Sequence, residues 1–231
     1  MSKLRRLDQI LASLGYGSRK EARQLIDSGA VSVRGVIARD EAARVDPHEV
    51  AVRGEPLEAP DGLLALFHKP VGYVCTHSDG EGPTIYELLP TRWGQRNPAA
   101  TSVGRLDKDT SGLLLITDRG DLVQKWTSPK ADIEKTYEVT VDKPLSPTLA
   151  ETFARGDLLL RGEDKPCLPA KLEIVDAIHA RLTITEGRYH QVRRMFASQG
   201  WHVEQLHRSR FGPYELADLP QGQWRTLEVS A

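Results

Sequence analysis

The chain has 231 residues, 39% of them hydrophobic, with a formal charge of −1, enough for one large domain or a small one joined to a medium one. It holds no apolar run of about 18 residues, so no membrane span is expected, and its charged N-terminus lacks the apolar stretch of a secretion signal. Cys75 and Cys167 stand far apart and read as small core or surface residues in a reducing cytosol, not as a disulfide or metal pair.

The near-zero charge hides an asymmetry. Residues 1–39 carry eight Lys/Arg against three Asp/Glu, whereas residues 40–62 carry two against seven. A basic block of this kind is an electrostatic footprint for a polyanion. Within it, Leu4, Leu7, Ile10, Leu11 and Leu14 recur at helical spacing, and Gly15 supplies the stop. Ser18 and Glu21 form a capping box that opens a second helix, with Ala22, Leu25 and Ile26 on its apolar face. Val31–Val33 and Val36–Ile37 flank Arg34-Gly35 as a short hairpin. Two helices and a hairpin with arginines along one side resemble the RNA-binding module named after ribosomal protein S4. That resemblance implies phosphate contacts from Arg5, Arg6, Arg19, Lys20 and Arg23, which position RNA without reading its sequence.

Residues 54–62, with two prolines, two glycines and three acids, read as a linker, so the boundary is expected near residue 60: a module over 1–59 and a larger domain over 60–231. Strands are expected at Leu63–His68, across the alternation around Tyr137, Val139 and Val141, and near Leu182 and Ile184. Short helices are expected at 83–89, 122–126 and 149–155. Strands that follow one another without long helices between them indicate an α+β fold with a mixed sheet. Gly80-Glu81-Gly82 is too short for a nucleotide loop.

Residues 104–120, GRLDKDTSGLLLITDRG, place Asp107 in a polar loop bounded by Gly104 and Gly112, with the buried-strand run Leu113–Ile116 behind it. Such a loop presents a rigidly anchored carboxylate, although an ordinary strand-entry turn has the same local pattern. Farther on, a helix is expected at about 189–199, with Tyr189, Val192, Met195 and Phe196 in one sector of the helical wheel. Arg193 lies at the border of that sector and can reach inward. Arg194 points away, toward solvent or RNA phosphate.

GRLDKDTSGLLL closely resembles the catalytic motif of the RsuA/RluA-type RNA pseudouridine synthases. HKPVGYVCT at 68–76, EKTYEV at 134–139, EGRYHQVRRMF at 186–196 and LHRSRFG at 206–212 match in the same order. The resemblance implies a central, largely antiparallel sheet with helices packed around it. It also implies conversion of a specific uridine to pseudouridine, with Asp107 essential, Arg193 as the basic partner of its carboxylate, and Tyr137 as the active-site tyrosine. The EGRYHQV segment resembles the branch acting on 16S rRNA of the small subunit, or on its assembly intermediate, by a cytoplasmic monomer. Leu206 is expected as an apolar pocket wall, Lys69 and Arg105 as supports for the site or the RNA backbone, and Arg208 as an RNA contact.

The implied chemistry explains these residue types. The bond from ribose to the base nitrogen breaks, the base rotates, a bond to ring carbon forms and a ring proton leaves. Nothing is oxidised and no group is imported, so no redox cofactor, nucleotide or metal is expected. The site must keep a carboxylate ionised away from water, and a nearby guanidinium favours the charged form. Asp107 can then attack the sugar carbon or act as a base. The base must also leave its stack, which calls for an aromatic or apolar platform.

Rival patterns are weaker. His179, His190, His202 and His207 lack tight metal-ligand spacing. Asp107 and Asp109, two residues apart, make a poor glycosidase pair, and Asp109 is expected to bond the loop backbone. Two alternatives remain: a synthase for 23S rRNA, and a non-catalytic RNA-binding or ribosome-assembly protein. The latter would have no reason to retain Asp107, Tyr137 and Arg193 together.

Overall fold

Ser18 and Glu21 satisfy each other's backbone: the Ser18 hydroxyl accepts from the Glu21 N–H at 3.3 Å, and the Glu21 carboxylate accepts from the Ser18 N–H at 2.7 Å. This box opens α2 in the computed structural model, which describes residues 4–78, 80 and 82–228. Glu81, the middle of the glycine turn read above, lies outside the described residues.

The N-terminal module runs β1 (Arg5–Arg6), α1 (Leu7–Ser13), α2 (Arg19–Asp27), β2 (Val31–Val33), β3 (Val36–Ile37), β4 (Arg44–Val45), β5 (Val50–Val52) and β6 (Glu55–Pro56). Leu7, Ile10, Leu11, Ala22, Ile26, Val31 and Val50 form its core. Arg34 and Gly35 take φ of 52° and 78°, the left-handed pair that a two-residue hairpin turn needs. The first helix is shorter than expected. Leu4 is exposed and Arg5–Arg6 are extended, because they pair with β4.

The expected linker is pinned. Arg92 Nη2 and Trp93 Nε1 both donate to Glu58 Oε2, at 2.6 and 3.0 Å. The buried Arg96 donates to the carbonyls of Glu58 and Ala59 and pairs with Asp118 at 2.6 Å. Composition announces the turns of such a segment but not its tertiary partners.

The larger part is α+β. Its strands are β7 (Leu64–Lys69), β8 (Thr101–Ser102), β9 (Thr110–Thr117), β10 (Lys135–Val141), β11 (Lys171–Ile174), β12 (His179–Ile184), β13 (Val203–Phe211), β14 (Tyr214–Glu215) and β15 (Trp224–Thr226). Seven of them run in the order β11-β12-β10-β13-β9-β7-β15, with β8 paired to β9 and β14 to β13. All pairings are antiparallel except β13 with β9. Helices α3 (Thr91–Gly94), α4 (Gly120–Thr127), α5 (Thr148–Ala154) and α6 (Gln191–Ser198) complete it. One large apolar cluster includes Phe67, Leu114, Val139, Phe153, Met195 and Phe196; a second, around Leu113, Leu115 and Phe211, covers the other side of the central strands.

The parallel pair is where the sheet allows no side chain. Gly112 sits opposite Arg208 with φ of 120°, and a Cβ there would collide with the Arg208 backbone. Among the described residues no helix is long and apolar enough to cross a membrane.

Candidate active site

The Asp107 loop joins β8 to β9, and the fold holds it by its backbone carbonyls. Cys75 Sγ donates to the Leu106 carbonyl at 3.4 Å. Lys69 Nζ donates to the carbonyls of Asp107 at 3.0 Å and Thr110 at 2.8 Å, with Lys108 at 3.5 Å. The Gly72 N–H donates to the Lys108 carbonyl at 2.7 Å, and Arg193 Nη2 to the Asp109 carbonyl at 3.2 Å. Carbonyls 106–110 are thus all engaged while the Asp107 carboxylate stays one-third exposed. A loop fixed this way does not need the Asp107 side chain to hold it.

Lys69, at the end of β7, has no solvent exposure, and burial pushes its ammonium below its usual value. The negative charges of Asp107 and Asp109 pull it back up. Lys69 is therefore a strut for the loop and cannot reach an RNA backbone, a correction to the second half of that expectation. A lysine within an apolar strand gave no sign of total burial.

Arg193 does reach inward from α6, but its guanidinium meets Asp109 Oδ2 at 2.9 Å and the Val203 carbonyl at 2.7 Å. The basic side chain beside the Asp107 carboxylate is instead His190, whose Nε2 lies 3.4 Å from Oδ1. In the sequence His190 reads only as a candidate metal ligand. Its position follows from the helix start: α6 begins at Gln191, and His190 adopts φ of 46°, which swings its ring back over the loop.

Two wheel assignments are corrected, the first by the displaced start and the second by a tertiary contact. Val192, Met195 and Phe196 are buried as expected, but Tyr189 lies outside the helix and is 71% exposed. Arg194 is not free for phosphate: it donates to Glu163 Oε1 at 2.7 Å and to the carbonyls of Arg161 and Tyr189. The segment near 161–163 folds back over that side of α6, which no periodicity could announce.

A cavity of about 590 Å³ opens in front of Asp107, a size ordinary for ligand sites. Tyr137 from β10 and Leu206 from β13 line it, both largely buried, with Arg105, Tyr189, His190, Lys135 and Arg208. Arg105 is exposed at the edge. Arg208, expected at an RNA surface, is 3% exposed; its Nε donates to the Leu113 carbonyl at 2.9 Å and its guanidinium lies over Phe211. Lys135 donates to the Ile133 and Thr185 carbonyls, and burial, then the Arg208 charge, lowers its pKa. An apolar wall, the partly exposed Asp107 carboxylate and the inward cations Lys135 and Arg208 suit a planar polar ligand whose bonds are remade at a fixed acid.

In the N-terminal module Arg6 grips the fully buried Asp8 carboxylate through Nε and Nη2 at 3.0 and 3.1 Å, and Arg23 approaches it at 3.6 Å. Arg5 donates to Ser13 Oγ at 2.8 Å. Arg19 and Lys20 stand exposed on the first turn of α2. The four histidines considered for a metal are dispersed: His179 bonds Asp176, His207 bonds Ser111 Oγ, His190 meets Asp107, and the His202 N–H donates to Asp142.

Comparison with known proteins adds an independent line. The family model described as RNA pseudouridylate synthase matches residues 64–198, and the S4 domain model matches residues 5–50. The chain is 43% identical over 227 residues to the ribosomal small subunit pseudouridine synthase A of Pasteurella multocida, covering 97% of this chain and 96% of that protein. It is likewise 43% identical to the protein of that name from Escherichia coli strain K12, covering 96% of each. A crystal structure of a pseudouridylate synthase aligns with a TM-score of 0.68 at 38% identity, over 96% of both chains.

Proposed function

Because the chain belongs to the RNA pseudouridylate synthase family, we propose that it isomerises a single uridine of 16S rRNA to pseudouridine with Asp107 as the reacting carboxylate. The observation that carries the residue assignment is the loop itself: every carbonyl from 106 to 110 is tied down, and the loop presents its Asp107 carboxylate to the cavity that Tyr137 lines.

A flipped uridine entering the cavity meets Tyr137 and Leu206 as its platform and wall. Asp107 then acts at the sugar carbon or as a base. The C1′–N1 bond breaks, the freed uracil turns, C5 bonds to C1′, the C5 proton leaves and N1 gains one, so the atoms balance without a co-reactant. Arg193 acts through Asp109 as a positioning residue that keeps the loop aligned. Arg105 at the rim and Arg19 and Lys20 on α2 contact phosphates, which places the target without reading it.

The natural substrate in this reading is small-subunit RNA or an assembly intermediate, met by a monomer in the cytoplasm. Primer extension after carbodiimide treatment tests it. Full-length protein should leave one strong stop in 16S rRNA, absent with Asp107→Asn. Stops confined to 23S rRNA would overturn the substrate while sparing the reaction.

A further inference from the structure

Among the described Phe, Tyr and Trp side chains, Tyr189 alone stands mostly in solvent, and it lies at the catalytic cavity. One face of its ring stacks on His190, with centroids 3.9 Å apart and planes 16° from parallel. No second ring covers the other face among the described residues. His190 in turn lies 3.4 Å from Asp107. The left-handed backbone of His190, unfavourable for a residue with a side chain, creates this two-ring ledge. An exposed aromatic held flat by a strained neighbour is a surface kept open for something planar.

We propose that Tyr189 is the stacking platform for the RNA base adjacent to the flipped uridine. The inference rests on the synthase reading above. The target uracil has its own platform in Tyr137, largely buried beside Leu206 and Asp107. Tyr189 lies beyond the His190 ring and opens outward, so a base stacked there belongs to the next nucleotide. Extruding one nucleotide also unstacks its neighbour, and single-stranded bases recover that loss on aromatic faces. Arg105, exposed on the same cavity, stands ready for a connecting phosphate. A protein ligand would satisfy the ring equally, but the cationic rim and the nucleotide-sized cavity favour nucleic acid.

The test uses full-length protein and a small-subunit rRNA fragment spanning the modified uridine, with 2-aminopurine or an abasic nucleotide at each flanking position in turn. Wild type should quench 2-aminopurine at one flank on binding. Tyr189→Ala should lose the quenching and raise KM about 5- to 150-fold with kcat little changed, whereas Tyr189→Phe should keep both. An abasic nucleotide at that flank should weaken wild type by a similar factor and leave Tyr189→Ala unaffected. Quenching retained by Tyr189→Ala, or an equal abasic penalty for both proteins, overturns the platform. Wild type that releases no tritium from 5-tritiated uridine in this RNA sinks the synthase reading instead, and the quenching arm still decides the platform.

Discussion

The Lys69 ammonium reaches the Asp107 carbonyl oxygen at 3.0 Å from a side chain with no solvent exposure. It binds the Pro70, Lys108 and Thr110 carbonyls as well, so a single buried cation holds the loop from the carboxylate onward to β9. The geometry of Asp107 is therefore set from beneath, by a residue that touches no substrate.

Replacing Lys69 with Met should orphan these carbonyls and cost on the order of 3 kcal/mol in denaturant unfolding. Lys69→Arg should fail too, since the larger head has no room in a fully buried site. Near-wild-type unfolding with full turnover in the Met variant would refute the strut.

Asp107→Asn preserves size and the loop's backbone bonds but removes the nucleophile or base. Turnover should fall more than about a thousandfold while RNA affinity stays within a few fold. Activity within tenfold of wild type sinks the assignment.

Arg193 and Asp109 should behave as a unit. Arg193→Met and Asp109→Asn should each lower kcat, and the double variant should be little worse than the worse single one. Arg193→Lys should keep part of the activity, as one ammonium replaces a two-armed grip. Arg194→Met should lower thermal stability with little change in RNA affinity, because its guanidinium is spent on Glu163 and Arg161. Additive Arg193 and Asp109 effects would separate the two.

On the RNA-binding side, Arg19→Ala and Lys20→Ala should each weaken binding uniformly across sequences and reduce the magnitude of the log–log salt slope by about one. Titration at several salt concentrations reads this directly. An unchanged slope removes both from the phosphate interface.

Asp8 gives a pH dependence with a definite sign. The hydrogen bond from Arg6 holds its carboxyl below the ordinary value of 3.8, against the opposing effect of burial. Its stabilisation is thus complete above about pH 4 and is lost as pH falls through the lowered value. Asp8→Asn should reduce stability at neutral pH and flatten the acid limb of the unfolding curve. An acid limb identical to wild type would show that Asp8 is not the group.

Local pattern carried much of this protein. The capping box at Ser18, the hairpin at Arg34-Gly35, the apolar run behind Asp107 and the alternation around Tyr137 are short-range consequences of backbone geometry and side-chain period, so the sequence determines them wherever the chain goes. The ordered motifs placed the reaction class and drew attention to Asp107. Tertiary structure alone decided which basic side chain meets which carboxylate. His190 meets Asp107 because α6 starts two residues later than the wheel assumed and leaves it outside the helix, whereas Arg193, within the helix, meets Asp109. Lys69 becomes a buried strut because the loop leading into β9 wraps its ammonium, and Arg194 is captured by a segment some thirty residues away in sequence. Periodicity fixes which way a side chain leaves its own element. What it meets there depends on elements distant in sequence, and no local rule encodes their approach.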